Sequence, residues 1–126
     1  MKRALLLAFG LQLSALAGIT TRDAVNAIIG EAGNQDYATQ LAVACAIRHR
    51  GTLQGVFGLT NPVVKAAGPA LRARARRAWI ASASLHTQAA DPAAGCRYFG
   101  SPADARYFAR IGLIAARRSG SITFYR

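Results

Sequence analysis

One carboxylate stands apart in this sequence. Glu31 is the only glutamate of the 126 residues; it follows Gly30 and the apolar run 27–29, and the amides of Asn34 and Gln35 come shortly after it. A carboxyl group where a hydrophobic helix stops lies partly in the core, and burial raises its pKa. A raised pKa suits a general acid near neutral pH. The alternative is a solvated glutamate at a helix end.

Three other side chains could take part in chemistry: those of His49, Cys45 and Cys96. His49 lies between two arginines at the expected end of a helix, where cations are favoured, so it is interpreted as a helix-end cation rather than a catalytic base. Cys45 and Cys96 could form a disulfide in an exported protein, or they could be two small buried side chains. The chain has no Cys-x-x-Cys pair and no Cys/His cluster, so we expect neither a metal nor a cofactor.

The composition is that of one basic domain. Hydrophobic residues make up 52%, and 16 Lys and Arg stand against 5 Asp and Glu, a formal charge of +11. Such a surface favours polyanions, whether nucleic acid, anionic lipid or an acidic wall polymer. The arginine run at 72–77 is interpreted as a solvated helix face, with contact to a wall polymer or nucleic acid as the alternative.

Residues 1–17 have the pattern of a secretory signal peptide. Lys2-Arg3 is a basic start, residues 4–13 are an apolar core, and Ala15-Leu16-Ala17 is a small-x-small cleavage site. We therefore expect export to the periplasm or cell wall, with no stable membrane span after cleavage. The alternative is a retained N-terminal anchor or a buried first helix.

Caps, turn residues and hydrophobic periodicity predict helices first and strands later in the mature part, 18–126. The predicted elements are a helix from Thr20 or Thr21 to Gly30–Gly33, a helix at 37–48, a packed loop at 51–69, a helix at 69–86 with Trp79 in its buried stripe, a strand at 96–99, a short helix at 101–108 and a hairpin at 113–125 that turns at 117–120. The prediction is an α+β domain: N-terminal helices followed by a short antiparallel sheet with a C-terminal hairpin.

Three stretches resemble the SleB-type cell-wall hydrolase family, which includes the catalytic domain of spore-cortex-lytic enzymes and related bacterial and phage wall hydrolases. Ile28-Ile29-Gly30-Glu31-Ala32 is similar to the family's GEA element, and residues 40–50 to its Gln-x-Ala-Val-Ala segment. Residues 91–99 are similar to the family's Asp-Pro-x-x-Gly-Ala-x-Tyr stretch, and residues 121–126 to the last strand of its shorter members. The likeness covers about residues 23–126.

The resemblance implies a small lysozyme-like or transglycosylase-like domain that cleaves the β-1,4 bond between N-acetylmuramic acid and N-acetylglucosamine. The family's catalytic glutamate falls on Glu31. Peptidoglycan glycan strands are then the expected partner, nucleic acid is not expected for an exported protein, and a monomer is expected. Tyr98 could hydrogen-bond the acid or an N-acetyl group, and the candidate substrate-binding residues are Asn34, Gln35, Tyr37, Tyr98 and Phe99.

The small number of carboxylates in the chain favours a lytic transglycosylase. A glycoside hydrolase of the usual kind needs two carboxylates across the bond, whereas a transglycosylase needs one, because the C6 hydroxyl of the muramic acid attacks instead of water. The first alternative is a muramidase that uses Asp36 or Asp91 as its second carboxylate. The second is a non-catalytic basic module that binds wall polymer or nucleic acid.

Overall fold

The computed structural model describes residues 18–126; the predicted signal peptide, 1–17, lies outside the described residues. Within residues 18–126, five α-helices and one antiparallel sheet form an α+β domain, as predicted from the sequence. The helices are α1 (Thr21–Ala32), α2 (Tyr37–Arg50), α3 (Pro62–Ala66), α4 (Pro69–Leu85) and α5 (Ala105–Arg110); the strands are β1 (Tyr98–Gly100), β2 (Ala115–Ser119) and β3 (Ile122–Tyr125).

Side-chain caps set the starts of the first two helices. The Thr20 hydroxyl accepts a hydrogen bond from the Asp23 amide at 3.1 Å, and the Asp36 carboxylate accepts one from the Thr39 amide at 2.9 Å. Each cap satisfies an amide that has no partner within the helix. Asp36, and not the preceding amides Asn34 and Gln35, is therefore the cap of α2.

Helix α2 is the centre of the molecule. Nearly every side chain from Thr39 to Ile47 is buried, and the run of small residues lets α1 and α4 pack closely against it. Trp79 of α4 lies in this core, as expected, with the Arg48 guanidinium 3.7 Å from the centre of its ring. The core therefore holds α1 in a fixed position along most of its length.

The predicted loop at 51–69 is packed, but it is more ordered than the sequence suggested. It contains a 3-10 turn at Phe57–Thr60 followed by α3, which Asn61 caps through its side-chain oxygen at 3.1 Å from the Val63 amide. Proline at the first position of α3 favours the helix start. A helix of only five residues is too short to give a periodic sequence pattern, so α3 was not predicted.

The sheet has the strand order β1-β3-β2, so the last strand is the middle one. The predicted hairpin exists, but its turn is at Gly120-Ser121 and not at 117–120, and the first strand is at 98–100 and not at 96–99. Gly120 has φ +56°, a conformation that favours glycine, and this allows a two-residue turn. Arg117 and Arg118 consequently lie on the exposed edge strand β2.

Within residues 18–126, none of the helices combines the length and the apolar character that a bilayer crossing requires.

Candidate functional site

Glu31 lies one residue before the end of α1, half-buried beneath the 3-10 turn. Its Oε1 accepts a hydrogen bond from the Gly58 amide at 2.8 Å. Burial raises the pKa of the Glu31 carboxyl, the Gly58 hydrogen bond opposes this, Asp104 raises the pKa further and Arg50 lowers it. The net effect is a raised pKa, so the acid form persists to higher pH than in an exposed glutamate.

Two glycines allow the turn to approach α1 this closely. A Cβ on Gly30 would overlap the carbonyl oxygen of Gly58, and a Cβ on Gly58 would lie 2.8 Å from both Cγ and Cδ of Glu31. Asn61 secures the contact, because its Nδ2 donates to the Gly30 carbonyl at 3.3 Å. The turn therefore fixes the carboxyl group of Glu31 in one place.

Two clefts meet at Glu31. The first cleft, about 680 Å³, runs between the 3-10 turn and α5, and its walls include Pro62, Tyr98 and Tyr107. The second cleft, about 410 Å³, runs between the end of α1 and the sheet. Both clefts are lined by Gly30, Glu31, Asn61 and Asp104. An extended ligand could lie in both clefts at once, with one part on each side of the Glu31 carboxyl group.

Asp104 is the second carboxylate of these clefts, and the sequence did not indicate it as a site residue. The sequence Ser101-Pro102-Ala103-Asp104 instead predicts a helix cap, with an acid at the third helical position. Hydrogen bonds to the Asp104 Oδ2 from the Ser101 amide at 2.9 Å and from the Ser101 hydroxyl at 3.1 Å confirm this cap. The capping motif was a sufficient explanation for an aspartate in the sequence, and only the folded chain brings Asp104 to Glu31.

Tyr98 and the pair Asn34 and Gln35 lie at the clefts. Tyr98 lines the first cleft, but no hydrogen bond joins it to Glu31 among the described residues; its ring lies 5.3 Å from the guanidinium of Arg50. Asn34 and Gln35 line the second cleft. The Gln35 amide is engaged with Ser121 of the hairpin turn, to which Nε2 donates at 2.8 Å.

Two of the candidate substrate-binding residues, Tyr37 and Phe99, are not placed to stack on a sugar ring. Tyr37 begins α2, is 37% exposed and lines neither cleft. Phe99 borders the first cleft but is only 7% exposed, and its ring packs on Phe124 with 6.3 Å between ring centres. Tyr107 of α5 lines the first cleft and is 59% exposed, so it is the better aromatic surface.

The aspartates considered as second carboxylates for a muramidase lie elsewhere. Asp36 caps α2, and Asp91 is buried; neither lines the clefts. Burial acts to raise the pKa of Asp91, but hydrogen bonds from Gly95, His49 and Ala93 outweigh it and hold that pKa below its usual value. His49, at the end of α2, lies 2.6 Å from the Asp91 carboxylate.

Both cysteines are free, buried thiols in the structure. Burial and the neighbouring Asp91 raise the pKa of Cys45 to about 12, and burial raises the pKa of Cys96. Neither thiol lines the clefts. Among residues 18–126, no group of three or more His, Cys, Asp or Glu side chains is arranged to hold a metal ion.

The arginine run is only partly a solvated face. Arg76 and Arg77 are exposed, but Arg72 bonds to Asn26 and to the Val64 carbonyl, and Arg74 bonds to Gln40 at 3.1 Å. The periodicity of the sequence could not distinguish the exposed arginines from the packed ones. The aliphatic part of an arginine side chain can lie on a packed surface while its guanidinium reaches a distant acceptor.

A scan of protein-family models finds none that matches this chain, and searches of curated proteins and of solved structures likewise find no match. The likeness to the SleB-type family rests on the short motifs quoted above. The functional proposal therefore depends on the geometry around Glu31.

Proposed function

We propose that this protein is a peptidoglycan lytic transglycosylase with Glu31 as its single acid/base. The observation that carries the proposal is the position of Glu31: a fixed, half-buried carboxyl group of raised pKa where two clefts meet. A glycan strand that occupies both clefts would present one glycosidic bond to this group. The motif resemblance and the basic surface, which attracts anionic wall polymers, add support.

The reaction needs two proton transfers at one carboxyl group. Protonated Glu31 donates its proton to the glycosidic oxygen as the bond to muramic acid C1 breaks. The resulting carboxylate takes the proton from the muramic acid C6 hydroxyl, whose oxygen bonds to C1 and closes a 1,6-anhydro ring. Glu31 ends protonated, no water is consumed, and each step is ordinary general acid–base catalysis.

The second candidate function is a muramidase that hydrolyses the same bond. Asp104 favours it, because it is a second carboxylate that lines both clefts with Glu31. In this reaction Asp104 would serve as nucleophile or as base for a water molecule. The candidates differ in their products: one leaves 1,6-anhydro ends and the other leaves reducing ends.

The deciding experiment is mass spectrometry of fragments released from purified peptidoglycan by residues 18–126. We expect 1,6-anhydro-muramic ends from the wild type and none from Glu31→Gln, because the amide cannot donate the proton. The control is Asp36→Asn, a cap outside the clefts, which should retain cleavage. Reducing ends would move the assignment to the muramidase. No fragments from a folded wild type would contradict both enzymes and favour the basic binding module.

A further inference from the structure

The two clefts on either side of Glu31 differ in chemistry. Glu31 and Asp104 line both clefts; beside them, the second cleft presents neutral amides and hydroxyls, from Asn34, Gln35, Ser101 and Ser121. The first cleft is more apolar and contains a cation, Arg50, near its aromatic walls. Apart from Arg50, no Lys, Arg or His within residues 18–126 lines either cleft. A polymer with two kinds of sugar therefore meets two different environments.

The guanidinium of Arg50 is held in a defined orientation. Arg50 is the last residue of α2 and is half-buried. Its Nη2 donates a hydrogen bond to the Gln54 carbonyl, and its Cζ lies 5.3 Å from the centre of the Tyr98 ring. A carbonyl and an aromatic face orient a guanidinium without neutralising it.

The charge of Arg50 is not matched by a carboxylate in direct contact. Among residues 18–126, the ion pair within 4.0 Å is that of His49 with Asp91, so no carboxylate oxygen of this part of the chain lies that close to Arg50. Arg48, two residues earlier, is instead occupied by the Ser82 hydroxyl at 2.6 Å and the Trp79 carbonyl at 2.7 Å. An oriented, half-buried cation at a cleft wall is a ready partner for an anionic ligand group.

We infer that Arg50 binds the carboxylate carried on the O3 substituent of muramic acid. This inference rests on the proposed function, and it assigns the muramic acid residue to the first cleft and N-acetylglucosamine to the second. The carboxylate belongs to the lactyl group in a peptide-free strand or to the stem peptide in a substituted one. N-Acetylglucosamine lacks an acid, and the amide-lined second cleft offers neutral hydrogen-bonding groups to its N-acetyl and hydroxyl groups.

The test measures binding to Glu31→Gln, in which cleavage is blocked, by isothermal titration calorimetry. The ligands are a peptide-free tetrasaccharide of alternating N-acetylglucosamine and muramic acid with free lactyl carboxylates, and the same tetrasaccharide with lactyl carboxamides. We expect the acid to bind at least 10-fold more tightly than the carboxamide, because the hydrogen bond between a guanidinium and a carboxylate is strengthened by both charges. A third ligand, carrying stem peptides, distinguishes the two sources of the carboxylate.

Three further variants, each made together with Glu31→Gln, separate binding from packing. Arg50→Gln should bring the acid-to-carboxamide ratio close to one, because it removes the positive charge that distinguishes the two ligands. Arg50→Lys keeps the charge and should give an intermediate ratio. Arg110→Gln, an exposed position of α5 that lines neither cleft, is the matched control and should keep the full ratio.

The outcomes separate this inference from the proposed function. Equal affinity for the acid and the carboxamide would overturn the role of Arg50, even if the wild type releases anhydro fragments. A ratio that survives Arg50→Gln would also overturn it. An Arg50-dependent preference in a protein that cleaves nothing would support the inference while the enzymatic proposal fails. Absence of binding by either ligand would overturn the inference.

Discussion

Glu31 and Asp104 lie in the same pair of clefts, and the charge of Asp104 affects the ionisation of Glu31. Burial is the main reason that the Glu31 pKa is raised, and the Asp104 carboxylate adds to it while Arg50 opposes it. In the proposed reaction, the protonated form of Glu31 is the one that donates to the glycosidic oxygen. The pH dependence of that reaction should therefore respond to the charges of Asp104 and Arg50.

Asp104→Asn should move the alkaline limb of the kcat/KM profile to lower pH. Removing the negative charge lowers the pKa of Glu31, so the acid loses its proton earlier as pH rises. Ser101→Ala is the control, because it removes the hydroxyl that contacts Asp104 but leaves the carboxylate. An unchanged limb in Asp104→Asn would contradict this coupling, and complete loss of cleavage would support the muramidase.

Gly58→Ala should reduce cleavage without unfolding the domain. The new Cβ would lie 2.8 Å from Cγ, Cδ and the backbone nitrogen of Glu31, so the turn and the Glu31 carboxyl group must move apart. A displacement of about 1 Å at a catalytic group costs roughly 100-fold in rate. Gly68→Ala is the matched control, since its Cβ meets no atom within 4 Å. Equal rates for the two variants, measured by release of soluble fragments, would show that the turn does not position Glu31.

At the scale of elements, a chain of hydrogen bonds connects three helices beneath the site. Arg74 of α4 donates to the Gln40 side chain of α2 at 3.1 Å, and Gln40 donates to the carbonyl of Ala32, next to Glu31, at 3.1 Å. Gln40 is fully buried. The end of α1 is thus held by polar contacts as well as by apolar packing.

Arg74→Ser should lower the free energy of unfolding by about 1–3 kcal/mol, because it leaves the buried Gln40 oxygen without its donor. The loss should persist at high salt, since the Gln40 and Gln35 acceptors are neutral. Arg76→Ser, in the same helix but exposed, is the control and should change stability by less than about 0.5 kcal/mol. Urea titrations at low and high salt measure both; equal values for the two variants would refute the packing role of Arg74.

The sequence predicted the elements whose signals are local. Thr20, Asp36 and Pro69 mark helix starts, and the order of helices and strands followed from periodicity and turn residues. Glu31 could be selected because it is a singular acid at the end of an apolar run. Asp104 and Arg50 could not, because each has a local explanation in its own segment and only tertiary packing brings them together. The turn at Gly120 was misplaced because two arginines on an exposed edge strand resemble a loop.

At the scale of the whole molecule, Asp91 joins the helical half to the sheet half. Its carboxylate accepts bonds from Ala93, Gly95 and His49, and its backbone carbonyl accepts one from Arg117 of β2. The residue is 6% exposed. One side chain therefore closes its own turn and connects it to the end of α2.

Asp91→Asn should destabilise the domain by about 1–3 kcal/mol, because the amide cannot accept all three of the hydrogen bonds that the Asp91 carboxylate accepts. The folded-state pKa of Asp91 is lowered, so its contribution is present above the unfolded value of about 3.9 and is lost as pH falls below it. The stability difference between wild type and variant should therefore shrink in acid. Thermal unfolding between pH 3 and pH 7 measures this. Asp23→Asn, at an exposed position, is the control; a difference independent of pH would contradict the assignment.

The strand order has a consequence for the time at which the site can form. β1, which carries Tyr98 on the wall of the first cleft, pairs with β3 and not with β2. A ribosome makes α1 and Glu31 first and β3 last of all the described elements. β1 therefore has no strand to pair with until residues 122–125 have been synthesised. For most of its synthesis, a nascent chain would contain Glu31, the proposed acid, without a completed cleft. Any cleaving activity would then begin only when the whole domain has been made.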